Sequence, residues 1–153
     1  MKKLLYTVFA VITMVTAGCS SDNDDDNNST ETYLNYTLNG VDDVETNPET
    51  MTSLQRLVRG DFQSGTVHHS LSLWTPIEIT EGTHAIVANS SGSNLDAYSA
   101  SVWVGSEIVD SSAGTLVITE ITEEYFEGTF TFTGTNNNGT SATVTEGTFR
   151  AFR

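Results

Sequence analysis

The sequence predicts an all-β fold for the chain after residue 32. Strand-forming residues (Thr, Val, Ile, Phe and Tyr) dominate this part of the sequence. Clusters of Gly, Asn and Ser interrupt it about every eight to twelve residues, and apolar and polar side chains alternate between these clusters. The pattern predicts a single antiparallel β-sandwich of about eight or nine strands, with a small up-and-down β-barrel as the alternative.

The first 18 residues predict a secretion signal peptide. Two lysines precede a short apolar run over residues 4–15, and small residues follow that run, as they do before a cleavage site. A transmembrane helix is the competing interpretation. A bilayer core requires about 20 apolar residues, however, and this run is shorter.

The cysteine at position 19 is the only one in the chain, and it directly follows Ala17-Gly18. This arrangement resembles a bacterial lipobox, although Thr16 stands where leucine is usual. The resemblance implies that Cys19 becomes the mature N-terminus and carries fatty acyl chains such as palmitate. Two or more acyl chains anchor a protein stably to a membrane. The alternative is ordinary signal cleavage, which would leave Cys19 as a free thiol.

Residues 19–32 form an acidic tether in this interpretation. They contain no large apolar side chain, so we expect them to be disordered. Acid-rich segments after a lipidated cysteine resemble flavobacterial export signals, which implies an outer-membrane lipoprotein exposed on the cell surface. A plain spacer on a periplasm-facing lipoprotein is the alternative. Asp22, Asp24 and Asp26 match part of a calcium loop, but Asn27 and Tyr33 replace its glycine and its bidentate glutamate.

The mature chain is strongly acidic. Without the signal peptide it keeps four arginines against 20 Asp and Glu residues, a formal charge of −16. The domain over residues 33–153 carries four arginines against 15 acidic residues, or −11. This balance argues against nucleic-acid binding and against protein charge holding the domain to anionic lipid. We therefore expect membrane contact through the N-terminal lipid.

The expected strands cover residues 33–38, 41–45, 54–62, 66–74, 98–104, 115–121, 125–134 and 142–152. Asn39-Gly40 predicts a two-residue hairpin turn between the first two of them. The segment 47–60 is ambiguous. It could form a helix that begins after Asn47-Pro48, or its second part could be a strand. We favour the strand.

Alternation is clearest in residues 125–134, where three phenylalanines share one face with Gly128 and the threonines lie on the other. Glu123-Glu124 predicts the turn before this strand. Three asparagines and a glycine predict the turn after it. In the last strand the inward phase slips at Glu146-Gly147, which suggests a β-bulge.

Four Gly-Thr pairs begin turn-and-strand motifs at Gly82, Gly114, Gly128 and Gly147. These motifs resemble those of small uncharacterised lipoproteins of Bacteroidota. The resemblance covers residues 54–153 and the lipidated start. It implies an all-β fold with a strand at 54–62, and it carries no catalytic residue across.

No motif in the sequence points to catalysis. The nucleophile elbow, the P-loop, the dinucleotide-binding turn and the zinc-binding helix motif are all missing from the sequence. His68 and His69 are adjacent on a strand and point to opposite faces, so they cannot ligate one metal ion. Glu123, Glu124 and Glu127 crowd one hairpin, where solvent exposure leaves carboxylates with ordinary behaviour. We expect a non-enzymatic protein without a cofactor or a metal.

The candidate ligand-binding residues are mainly aromatic. Trp74 shares one face of its strand with His68. In the strand over residues 98–104, Tyr98 lies on the apolar face and Trp103 on the reverse face. Exposed aromatic rings contact sugars and proteins at low entropic cost. The predicted ligand-binding set is therefore Trp74, Trp103, Tyr98 and His68. In the alternative interpretation, the two tryptophans pack in the core of a second sheet or cover a sheet end.

The sequence thus predicts a signal peptide (1–18), a lipidated cysteine with an acidic tether (19–32) and one β domain (33–153). The expected function is a non-catalytic binding module for a glycan, a peptide or an envelope protein. The alternative is a structural or accessory subunit of an outer-membrane complex. A concave pocket at the aromatic residues favours the first function, and a flat exposed apolar patch favours the second.

Overall fold

The computed structural model describes residues 31–45, 47–64, 67–88 and 94–153. These residues form eleven β-strands and no helix, which confirms the all-β fold. The predicted signal peptide, the lipidation of Cys19 and the aspartates of the tether lie outside the described residues. The strands are β1 (Tyr33–Leu38), β2 (Val41–Glu45), β3 (Glu49–Thr52), β4 (Arg56–Ser64), β5 (Val67–Thr75), β6 (Gly82–Val87), β7 (Tyr98–Val104), β8 (Glu107–Asp110), β9 (Ala113–Ile121), β10 (Tyr125–Thr135) and β11 (Ser141–Phe152).

All eleven strands belong to one sheet that curls into a half-barrel. Its strand order is β2-β1-β11-β10-β9-β6-β7-β5-β4-β3, and β8 pairs with β7 outside this path. Neighbours pair antiparallel, except that β6 and β7 run parallel. The strands that the sequence-based list omitted are β3, β6 and β8, which have four to six residues each.

The ambiguous segment forms two strands and no helix. β3 and β4 pair antiparallel, with Thr52 opposite Arg56. A helix would have placed Leu54 and Leu57 on one buried stripe. The sheet instead leaves Leu54 exposed and buries Leu57 and Val58 on opposite faces of β4. The strand interpretation is therefore correct. Adjacent residues of β4 are buried on both of its faces, as in a strand that is covered on each side.

The concave face of the half-barrel holds the core. Large side chains that lose nearly all solvent contact there include Phe126, Phe130, Phe132 and Phe149. The rings of Phe126 and Phe149 meet edge to face, with centroids 5.4 Å apart. The alternation predicted for residues 125–134 is confirmed, since the threonines of β10 are exposed. Burial of each such phenylalanine contributes about 1.5–3 kcal/mol.

Gly128 occupies the same inward phase as these phenylalanines. A Cβ atom at this position would lie 2.0 Å from the carbonyl oxygen of Val117, on the neighbouring strand β9. The pairing of β9 with β10 also shifts register between Glu127 and Gly128. Glycine is therefore required for the two strands to approach each other here.

The predicted hairpin turn between β1 and β2 is confirmed. Asn39 and Gly40 have φ angles of 51° and 80°, the left-handed conformation that a type I′ turn requires. The Asn39 side chain also accepts a hydrogen bond of 2.8 Å from the backbone N–H of Thr143 in β11. The turn is thus tied to the last strand of the chain.

The predicted β-bulge in the last strand is confirmed as well. Gly147 lies opposite Phe130, but the next pair joins Val144 to Phe132, so the β11 side holds an extra residue. Glu146, within this irregularity, has a φ of 53°. The extra residue explains the slip in the inward phase of the strand.

Candidate binding face

The two tryptophans lie on the outer face of the half-barrel. On β5 the inward positions belong to Leu71 and Leu73, both of which are buried, and Trp74 has the opposite phase. On β7, Val102 is buried inward and Trp103 has the opposite phase. Among the described residues, the core cluster includes neither tryptophan, and both remain partly exposed. The interpretation that places them in a second core does not hold.

The register of β5 and β7 sets the separation of the two rings. Trp74 lies opposite Ser99, and Ser72 lies opposite Ser101. The pairing extends to Leu71 opposite Val102, the residue before Trp103. Four residues along a strand and one step across the sheet place the two tryptophan Cα atoms about 14 Å apart.

Serines occupy the space between the tryptophans. Ser70 is only 2% exposed, Ser99 is buried, and Ser72 and Ser101 are partly exposed. The Nε–H of Arg59 on β4 donates a hydrogen bond of 3.3 Å to the Ser70 hydroxyl. We call the two tryptophans, these four serines and Arg59 the tryptophan face.

The Arg59 guanidinium also forms an ion pair with Asp61. Its Nη2 lies 3.1 Å from the Asp61 carboxylate, and both side chains are partly exposed. In register, Arg59 is opposite Ser72, at the centre of the tryptophan face. This ion pair is too exposed to add much stability, but it fixes a hydrogen-bond donor and an acceptor beside the serines.

Aliphatic side chains flank the tryptophan face on both sides. Leu57 lies opposite Trp74, and Met51, at 48% exposure, lies opposite Leu57. Ile108, at 47% exposure, lies opposite Trp103. The Nε1–H of Trp74 is buried and has no hydrogen-bond partner among the described residues. An indole donor is therefore left unused within this face.

Tyr98 does not join the tryptophans. It has the inward phase of β7, packs against the core and stacks on the His84 ring with centroids 4.2 Å apart. Burial raises the pKa of Tyr98, and hydrogen bonding to Thr80 opposes this increase. The Nε2 of His84 is hydrogen-bonded to the Thr80 carbonyl oxygen at 2.8 Å. His68 lies on β5 opposite Gln63, and its side chain is outside the described part of the structure.

A second outer surface carries features that the sequence reasoning did not single out. Two adjoining shallow depressions of about 420 and 390 Å³ lie over β9, β10 and β11. Threonines form much of their floor, and Thr131 lines both. In the sequence, the alternating threonines of β10 predicted that this side of the strand faces solvent, but they did not predict the depressions. We call this surface the threonine face.

The hairpin glutamates interact with neighbouring polar groups. Glu127 accepts a hydrogen bond of 2.7 Å from Arg150, and this bond raises the pKa of the Arg150 guanidinium. Glu120 accepts one from the Tyr125 hydroxyl at 3.2 Å. Glu123 and Glu124 are exposed. These carboxylates are arranged for surface hydrogen bonding.

Stacking and hydrogen bonding are the chemistry that the tryptophan face offers. Within the described ranges, no three His, Cys, Asp or Glu side chains could together hold a metal ion. The same residues include no helix of the length and apolarity that crossing a bilayer demands.

No protein-family model, curated protein or solved structure matches the chain.

Proposed function

We propose that the chain is a lipid-anchored envelope protein whose β domain is a non-catalytic binding module for an uncharged glycan. The binding surface in this proposal is the tryptophan face. The observation that carries the proposal is the pair of tryptophans with outward phase, Trp74 and Trp103, which flank a row of serines on neighbouring strands.

The chemistry of this face suits a sugar chain. The apolar side of a pyranose ring stacks on an indole, and its hydroxyls both donate and accept hydrogen bonds. The partly exposed hydroxyls of Ser72 and Ser101, together with Arg59 and Asp61, supply partners of both kinds. A separation of about 14 Å between the tryptophans suits several linked rings better than a single one. The formal charge of −11 disfavours an acidic polysaccharide.

Binding measurements on the full chain in detergent test this proposal. Trp74→Ala and Trp103→Ala should each weaken the Kd for a neutral oligosaccharide about tenfold, which corresponds to the loss of one aromatic contact. The matched control is Phe152→Ala, which removes a half-exposed aromatic ring elsewhere. Equal affinities for all three variants and the unmodified chain would contradict the proposal.

The anchoring part of the proposal rests on the lipobox-like residues that end at Cys19. Cells fed an alkyne analogue of palmitate should label the chain, and Cys19→Ser should abolish the label. Ser20→Ala, next to the cysteine, is the matched control and should keep the label.

We place the lipidated protein in the outer membrane with its domain at the cell surface. Protection of the domain from added protease in intact cells would favour the periplasm-facing alternative.

A second candidate function is that of an accessory subunit of an outer-membrane complex. Met51, Leu54 and Ile108 are exposed aliphatic side chains on the strands and the bend beside the tryptophan face. Apolar groups gathered beside one surface favour a protein partner. Co-purification of one membrane protein after crosslinking, with no affinity for any glycan, would support this function over the first.

A further inference from the structure

Arg56 is a buried charge inside the half-barrel, on the face opposite the tryptophans. It begins β4 with the inward phase, and only 5% of its surface is exposed. Its guanidinium carbon lies 5.3 Å from the centre of the Phe126 ring. Residues 76–81 cover this end of the core, with Ile79 buried among the core side chains. We call this end of the half-barrel the arginine end.

The guanidinium is poorly satisfied there. Its Nη2 donates one long hydrogen bond, 3.4 Å, to the Ile77 carbonyl oxygen. Its Nε and Nη1 are buried without an acceptor among the described residues, which leaves three N–H groups unpaired. A buried charge with unused donors is strongly unfavourable in folded proteins.

The surrounding charges do not compensate for this burial. Burial lowers the pKa of Arg56, and the like charge of Arg153 lowers it further, while Glu78 acts in the opposite direction. Glu78 is exposed, and no hydrogen bond joins its carboxylate to Arg56 in the described part of the chain. Among the described residues, no carboxylate is therefore bonded to Arg56, although the domain carries a formal charge of −11.

We propose that Arg56 is an oxyanion-binding site that takes a carboxylate beneath residues 76–81. A planar guanidinium with several free N–H groups matches the two oxygens of a carboxylate, and such charge-assisted bonds are strong. The Phe126 ring adds a cation–π contact to the guanidinium. The site is separate from the tryptophan face and does not depend on it.

Two sources could supply the carboxylate. One is a small organic acid from solution. The other is the acidic segment that precedes β1, because β1 begins at the arginine end. In register, Phe126 lies opposite Ala151, and the adjacent Arg150 lies opposite Tyr33. Five Asp and Glu residues lie between positions 22 and 31. A stretch of ten residues reaches up to about 35 Å, so these carboxylates can reach Arg56.

Thermal unfolding of the full chain in detergent, with sodium acetate as the probe at constant ionic strength, tests the site. If the ligand comes from solution, acetate at ten times its Kd should raise the Tm of the unmodified chain by about 3–6 °C. Arg56→Met should abolish this rise without lowering the Tm in the absence of acetate, because an apolar side chain removes the unpaired charge. Arg59→Met, on the outer face of the same strand, is the matched control and should keep the rise. If Arg56→Met does not fold, Arg56→Lys should weaken the response.

A second variant, with the five acidic residues between positions 22 and 31 changed to Asn and Gln, identifies the source. If the segment fills the site, this variant should have the lower Tm and should respond to acetate, while the unmodified chain does not respond. If the ligand comes from solution, both proteins should respond alike. The proposal is overturned if neither protein responds. An undiminished rise in Arg56→Met and Arg56→Lys would also overturn it.

Discussion

The threonine face and the tryptophan face lie on the outside of the same sheet, yet they are covered to very different degrees. On β10, outward threonines such as Thr129 and Thr131 are exposed. On β5 and β7, the outward serines Ser70 and Ser99 are buried, although serine is the smaller and equally polar residue. Ser99 lies opposite Trp74, and Ser70 accepts a hydrogen bond from Arg59, so a large side chain adjoins each of these serines. Exposure on a sheet therefore depends on the neighbouring strands as much as on the residue itself.

A matched pair of leucine substitutions tests whether Ser70 is buried and Thr131 is exposed. Ser70→Leu should destabilise the domain by about 1–3 kcal/mol, because the leucine must displace covering side chains and removes the acceptor for Arg59. Thr131→Leu should change the stability by less than about 0.5 kcal/mol, because its position faces solvent. Urea unfolding followed by tryptophan fluorescence measures both. Equal effects would mean that Ser70 is open to solvent.

A smaller expected effect concerns Glu107, whose carboxylate joins β8 to the turn between β10 and β11. Glu107 on β8, beside the tryptophan face, accepts hydrogen bonds from Thr140, Asn136 and Asn138 in the turn that joins β10 to β11. These bonds, that of Thr140 first, lower the pKa of Glu107 below its ordinary value of 4.5. The carboxylate therefore stabilises the fold above about pH 4.5, and this contribution disappears as the pH falls through the lowered pKa.

Glu107→Gln should consequently lower the urea midpoint at pH 7, and the difference from the unmodified chain should shrink in more acidic solution. Glu81→Gln, at an exposed position in the loop before β6, is the control and should leave the midpoint unchanged at pH 7. A difference for Glu107→Gln that stays undiminished as the pH falls from 7 to 3 would contradict the assigned role. It would mean that the neutral amide disturbs the turn by its shape.

Much of the fold could be predicted because its signals are local. The phenylalanines of β10 alternate with threonines, and the pair Asn39-Gly40 favours a left-handed turn by itself. The slip at Glu146 was also visible as a break in the pattern of one strand. The strand order could not be predicted in this way. β7 lies between β5 and β6, and it is parallel to β6, which depends on contacts between distant parts of the chain.

The candidate site was only partly predictable for the same reason. Alternation along single strands was enough to give Trp74 and Trp103 the phase opposite the core. The contribution of Ser70 and Arg59 needed the lateral register of β4, β5 and β7, which no single strand encodes. Tyr98 was included in the set for its aromatic ring, although its own phase placed it inside. Arg56 drew no attention, because a lone arginine at the start of a strand usually faces solvent.

The pairing of the first strand with the last has a consequence for how the domain is made. β1 has two partners, β2 and β11, and Tyr33 lies opposite Arg150. The first hairpin can therefore join the sheet only after the ribosome has synthesised the final strand. A two-stranded hairpin is at best marginally stable by itself. Synthesis from the N-terminus thus leaves the first hairpin without its partner strand in the sheet until the last strand has been made.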